Sequence, residues 1–226
     1  MTIKENVARV GQAVEQACLE AGRPLESVKV IAVTKYVDSS ITRELIEAGV
    51  TDIGENRVDK FLDKYHALQD QAVSWHLIGT LQRRKVKDVI NFVDYFHALD
   101  SLKLAEEIQK RATKPINCFL QVNVSKEESK HGFYEEEIEP ALVELARLDK
   151  VRLVGLMTMA PINADKEQLS HIFHQTNAIR ERLANLNLPN MPFTELSMGM
   201  SGDFKEAIEA GSTFVRIGTA FFSKGE

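Results

Sequence analysis

Eight short apolar runs, seven of them followed by an amphipathic segment, leave this chain few folds to choose from. Strands joined through helices run parallel with right-handed crossovers. The runs fall at 28–34, 51–54, 74–78, 93–99, 116–124, 151–157, 193–196 and 213–217, with 116–124 the longest. Between them, helices are predicted at about 40–48, 58–68, 102–108, 135–148, 165–186 and 203–210, with a basic helix around Val86, Val89 and Ile90. A further helix at 2–21 precedes the first strand: Ile3, Val7, Val10, Val14 and Cys18 step by three or four, Thr2 and Glu5 form a capping box, and Gly22 then Pro24 stop it. Eight parallel strands close into a (β/α)8 (TIM) barrel, whereas a doubly wound open sheet usually has nearer five or six. Too few residues follow the eighth strand for an eighth helix, so the N-terminal helix is expected to cover that gap. Glu-Ala-Gly recurs at 20–22, 47–49 and 209–211, each time where a helix must stop in a left-handed glycine.

Composition narrows the class. With 226 residues, 44% of them hydrophobic, the chain can bury one core and is short for two, so a single domain over 1–226 is expected. A net charge of -5 with interspersed signs argues against a nucleic-acid partner. No apolar run approaches the ~20 residues that span a bilayer, and no signal peptide is recognisable. Cys18 and Cys118, far apart, read as buried, reduced thiols of a cytoplasmic protein.

In such barrels chemistry sits at the C-terminal ends of the strands, with phosphate often held after strands seven and eight. Lys35 ends the first strand, where an inward ammonium would need a partner. The seventh strand runs into Ser197-Met198-Gly199-Met200-Ser201-Gly202-Asp203, read as a loop of small residues, hydroxyls and a helix N-terminus suited to a phosphate dianion. The eighth supplies Arg216-Ile217-Gly218-Thr219. A lysine whose amine can attack an aldehyde, facing a phosphate cradle and an arginine, suggests a pyridoxal 5′-phosphate (PLP) site.

Six segments carry a family resemblance: Val33-Thr34-Lys35, Gly54-Glu55-Asn56, His76-Leu77-Ile78-Gly79, Gly155-Leu156-Met157, Leu196-Ser197-Met198-Gly199-Met200-Ser201 and Val215-Arg216-Ile217-Gly218-Thr219. In order and spacing the chain resembles the YggS family of PLP-binding proteins, itself similar to the N-terminal barrel of alanine racemase. The resemblance implies Lys35 as the Schiff-base lysine, with Ser201, Gly218 and Thr219 on the phosphate. It implies Arg216 facing the pyridine nitrogen, Asn56 near the ring hydroxyl, Met157 lining the pocket and His76 at the mouth of strand three. After Gly79 the chain reads Thr80-Leu81-Gln82-Arg83-Arg84-Lys85, where the family commonly carries His and Asn.

The implied function is PLP homeostasis without robust turnover, with PLP-dependent apoenzymes as recipients of the cofactor. An amino-acid racemase is the alternative, and a (β/α)8 enzyme using Lys35 on a phosphorylated metabolite is a second. Racemisation needs two acid/base groups on opposite faces of the substrate carbon. In two-domain racemases the second comes from a further domain, which a chain ending at Glu226 is expected to lack. His76 is then the substitute, since in a strand Tyr36 would point away from Lys35. Other chemistry is set aside. Arg83, Arg84, Lys85 and Lys87 read as a solvated helix face, and His171 with His174 as a surface pair. Glu55 reads as a base or as a partner for Lys or Arg, and 126–130 as a charged surface loop.

Overall fold

The computed structural model describes residues 2–128 and 131–223. Its elements alternate as α1 (Ile3–Glu20), β1 (Lys29–Val33), α2 (Ser39–Glu47), β2 (Asp52–Glu55), α3 (Val58–Ala67), β3 (Ser74–Leu77), α4 (Arg83–Val89) and β4 (Tyr95–Leu99). They continue as α5 (Leu102–Arg111), β5 (Ile116–Gln121), α6 (Glu135–Leu145), β6 (Val151–Met157), α7 (Lys166–Ala184), β7 (Glu195–Met200), α8 (Phe204–Glu209) and β8 (Phe214–Ile217). All neighbouring strands pair in parallel, and β8 pairs with β1 to close the barrel. Gly22, Gly49 and Gly211, which end the Glu-Ala-Gly repeats, have φ of 65°, 106° and 108°.

Among the described residues β8 is followed by a short 3-10 turn, Thr219–Phe221, and α1 packs between α8 and α2 in the place an eighth helix would take. Its capping box is formed, and its buried Asn6 clasps the stretch after β8, Nδ2 donating to the carbonyls of Phe221 (2.9 Å) and Ser223 (3.0 Å). Among the described residues no helix is long and apolar enough to cross a membrane. Cys18 and Cys118 are both buried free thiols.

Two strands differ from the sequence expectation. β5 stops at Gln121 and is not the longest, because Phe133 returns to take the Gln121 carbonyl (N–H to O 2.9 Å) and to accept from the Asn123 N–H (2.9 Å). The apolar run continues past Gln121 because Val122 is also buried, bridged in parallel to Phe133 of that returning segment. β7 starts and ends later than 193–196. Phe193 has φ 45°, outside the strand region, and pairing with β8 continues to Met200 opposite Arg216. The register shifts between Ser197 and Met200, and Gly199 at φ 99° accommodates the irregularity that makes the stretch read as a loop.

Barrel interiors are usually filled by branched aliphatic layers. This one is ringed: His76 stacks on Tyr95 (centroids 4.8 Å apart), His97 on Phe119 (4.4 Å), and Phe214 sits against all four rings.

Candidate functional site

At the C-terminal ends of the strands lies a cavity of about 810 Å³, within the range of small-ligand sites. Lys35, Asn56, Met157, Ser201, Arg216, Gly218 and Thr219, spread over most of the sequence, all line it. Lys35 arrives there through a tight turn. The chain leaves β1 after Val33, and the Val37 N–H donates to the Thr34 carbonyl at 3.1 Å. Strand alternation therefore lapses, and Tyr36 does not point away: the exposed Lys35 ammonium lies 4.8 Å from its ring centroid.

The turn is anchored from below. Buried Thr34 donates its hydroxyl to Glu55 Oε1 at 2.7 Å, and the Lys64 ammonium bonds both the Thr34 carbonyl (2.5 Å) and the Glu55 carboxylate. Of the two expectations for Glu55, the ion-pair partner is what the structure shows. Since Thr34 precedes Lys35 and Glu55 precedes Asn56, one buried pair sets the start of two cavity walls.

The neighbouring wall, where β8 pairs with β1, is rich in donors. Ser201 Oγ accepts from the Gly218 N–H at 3.3 Å, bridging the ends of β7 and β8. The 3-10 turn begins at Thr219, so its first N–H groups have no partner inside the turn. Ser197, Met198 and Gly199 do not share this wall. They are strand residues: Ser197 and Met198 are wholly buried, and a Cβ on Gly199 would come within 2.7 Å of Ala207 Cβ, toward α8.

Arg216 forms the floor. It is 5% exposed, donates Nη1–H to Ser197 Oγ (2.5 Å) and Nη2–H to the Thr158 carbonyl (3.2 Å), and burial pulls its pKa down to about 10. His76 is not at the mouth. Paired between Gly54 and Tyr95, it points into the barrel with 0% exposure, 2.7 Å from Asp52 Oδ1 and 2.9 Å from His97 Nε2. It cannot reach a ligand in the cavity.

Gln121 and His131, which the sequence reading passed over, also line the cavity. His131 Nδ1 is 3.4 Å from Asp100 Oδ2, a carboxyl that burial pushes above its ordinary range. The only signal for His131 was a histidine beside a glycine, and Gly132 has φ 117° and a Cβ position 2.8 Å from the Gln121 carbonyl oxygen. Arg83, Arg84 and Lys87 are exposed on α4, and His171 and His174 are exposed on α7. In the 126–130 loop, Ser129 and Lys130 lie outside the described residues.

A closed parallel barrel bearing a lysine, a donor-rich loop pair and a buried arginine around one mouth defines a class. The chain belongs to the alanine racemase N-terminal domain family, which it matches over residues 3–224, in the branch of the pyridoxal phosphate homeostasis proteins. The protein of that name from Aquifex aeolicus is 39% identical over 99% of each chain, and the one from Pseudomonas aeruginosa 38% over 98% of this chain and 95% of its own. The structure of Synechococcus elongatus PipY with PLP bound superposes with a TM-score of 0.85, at 31% identity over 98% of this chain and 100% of that one. Alanine racemase from Corynebacterium glutamicum shares the fold at 16% identity, with a TM-score of 0.70 over 97% of this chain and 60% of its own.

Proposed function

We propose that this protein binds PLP in the barrel-mouth cavity and serves its homeostasis in the cytoplasm, holding the cofactor for recipient apoenzymes without robust turnover of its own. The observation that carries the reading is the convergence of Lys35, Ser201, Arg216, Gly218 and Thr219 on one cavity. The residues present fit the cofactor. Hydroxyls and N–H groups gather at one wall for a dianion, a primary amine stands at the rim, and buried Met157 offers an apolar surface for a ring.

When bound, PLP supplies an aldehyde with which a primary amine condenses. Lys35 would be that amine. Ser201, Gly218 and Thr219 would hold the phosphate, and Asn56 would lie near the ring hydroxyl. Arg216, a donor only, would keep the ring nitrogen unprotonated, which weakens the ring as an electron sink. The exposed apolar rim made by Tyr36, Met159 and Met200 leaves the mouth open to a recipient surface. The test is a visible absorption band in the purified protein, lost on borohydride reduction with mass added at Lys35. A colourless protein in excess PLP would refute the reading.

One observation favours the racemase as a second reading: His131, paired with Asp100, stands after β5, across the barrel from Lys35 after β1. Solvent deuterium exchange at the α-carbon of L-alanine separates the two. The first reading expects trace exchange. Efficient exchange with inversion, lost in His131→Ala, would establish the second.

A further inference from the structure

The polar side chains inside the barrel form an unbroken row. Asp52, His76, His97 and Ser197 are 4%, 0%, 0% and 0% exposed. Asp52 Oδ1 meets His76 Nε2 at 2.7 Å, His76 Nδ1 meets His97 Nε2 at 2.9 Å, and His97 Nδ1 meets Ser197 Oγ at 2.7 Å. Ser197 Oγ then meets Arg216 Nη1 at 2.5 Å. The row thus crosses the core from the N-terminal end of β2 to the floor of the cavity. Buried polar groups left unpaired are costly, so a row like this persists only if every contact carries one proton.

Both ends dictate where those protons lie. The guanidinium of Arg216 can only donate, so Ser197 Oγ accepts from it. The single Ser197 proton then goes to His97 Nδ1. His97 must carry its own proton on Nε2 and give it to His76 Nδ1. His76 in turn carries its proton on Nε2 and gives it to the Asp52 carboxylate, which can only accept. Read from Asp52 upward, the order is the same. A cationic ring breaks it: a proton on His97 Nδ1 would leave the Ser197 hydroxyl proton without its acceptor. Burial, which holds both imidazoles below their ordinary pKa, agrees with two neutral rings.

We propose that Asp52, His76, His97 and Ser197 form a proton-ordered chain that fixes the Arg216 guanidinium at the cavity floor. Ser197 and His97 are then positioning residues for the group that meets the cofactor ring, and no part of the phosphate cradle. The proton order stands by itself; only the identity of the ligand that Arg216 meets rests on the PLP reading.

The first measurement uses the cofactor-free wild-type protein, labelled with ¹⁵N. Ring nitrogen shifts at pH 7 should show His76 and His97 both neutral with the proton on Nε2. Finding either as the Nδ1–H tautomer or as imidazolium overturns the chain, and no variant has to fold for that to be decided. The second compares ligands. Ser197→Ala should weaken PLP binding about tenfold and leave inorganic phosphate binding unchanged, with Ser197→Thr, which restores the hydroxyl, recovering most of the loss. Equal loss for both ligands, or none for PLP, overturns the positioning role. A wild-type protein that binds no PLP would refute the proposed function, and the ring tautomers would still decide the chain.

Discussion

Lys35 and the phosphate cradle approach a ligand from different walls of the cavity, so their contributions should separate. Lys35→Ala is expected to abolish covalent attachment yet only weaken PLP retention. A Ser201→Ala, Thr219→Ala double variant should lose more, since each hydrogen bond to a charged group contributes ~1.5–3 kcal/mol. Equilibrium dialysis of the two variants checks this, and equal retention would contradict it. The buried Lys64 makes a different demand. Lys64→Ala strands the Glu55 carboxylate, whose Oε2 already has no partner among the described residues, and should destabilise the fold by ~3–5 kcal/mol. Adding Glu55→Leu should recover a good part of that in denaturant unfolding. A double variant no better than Lys64→Ala would show that the pair does more than neutralise itself.

The elements show what a single sequence can and cannot reveal. The alternation of runs and helices was legible because each apolar face repeats with a fixed period, and so was the role of α1, whose Thr2 and Glu5 cap it as the sequence pattern demands. The ends of β5 and β7 were not legible. An apolar run marks burial, and Val122 is buried beyond the end of β5, while Ser197 to Met200 are small or flexible residues inside β7. Close backbone approaches are equally silent in sequence. A Cβ on Gly79, just past β3, would come 2.2 Å from the Asn56 carbonyl oxygen, so that glycine fixes how a cavity residue beyond β2 is placed. Gly79→Ala should therefore cost ~1–3 kcal/mol in thermal or denaturant melts and also speed PLP release. A stable variant with unchanged release would show that the Asn56 segment yields freely.

Over the whole molecule, the deepest groups govern the response to acid. His76 and His97 hold pKa values below the ordinary 6.5, because burial disfavours their charged forms. The unfolded chain binds their protons first, so stability is full above about pH 6.5 and falls as pH drops toward the folded values, by up to ~1.4 kcal/mol per pH unit for each ring. The raised carboxyls of Asp100 and Asp203 act in the opposite sense at lower pH, nearer their ordinary 3.8, so the imidazole effect is best read between about pH 6.5 and 5.5. Urea midpoints that stay flat across that interval would contradict it. This dependence was invisible in the sequence, where His76 read as a mouth residue and His97 had no marked role. Which strand residues face inward, and how deep, depends on register, and register is a property of the closed sheet.

The seam between β1 and β8 has a further consequence, for synthesis. Lys35 leaves the ribosome more than 180 residues ahead of Gly218 and Thr219, and the cavity straddles the strands that carry them. At ~5–20 residues per second, the nascent chain spends roughly ten seconds or more with its amine made and its phosphate wall unmade. Any ligand that grips both walls waits for the ring of strands to be complete. Once there, it ties the first strand to the last, and favours the closed state by RT ln(1 + [L]/Kd) at the one joint that chain connectivity leaves unsecured.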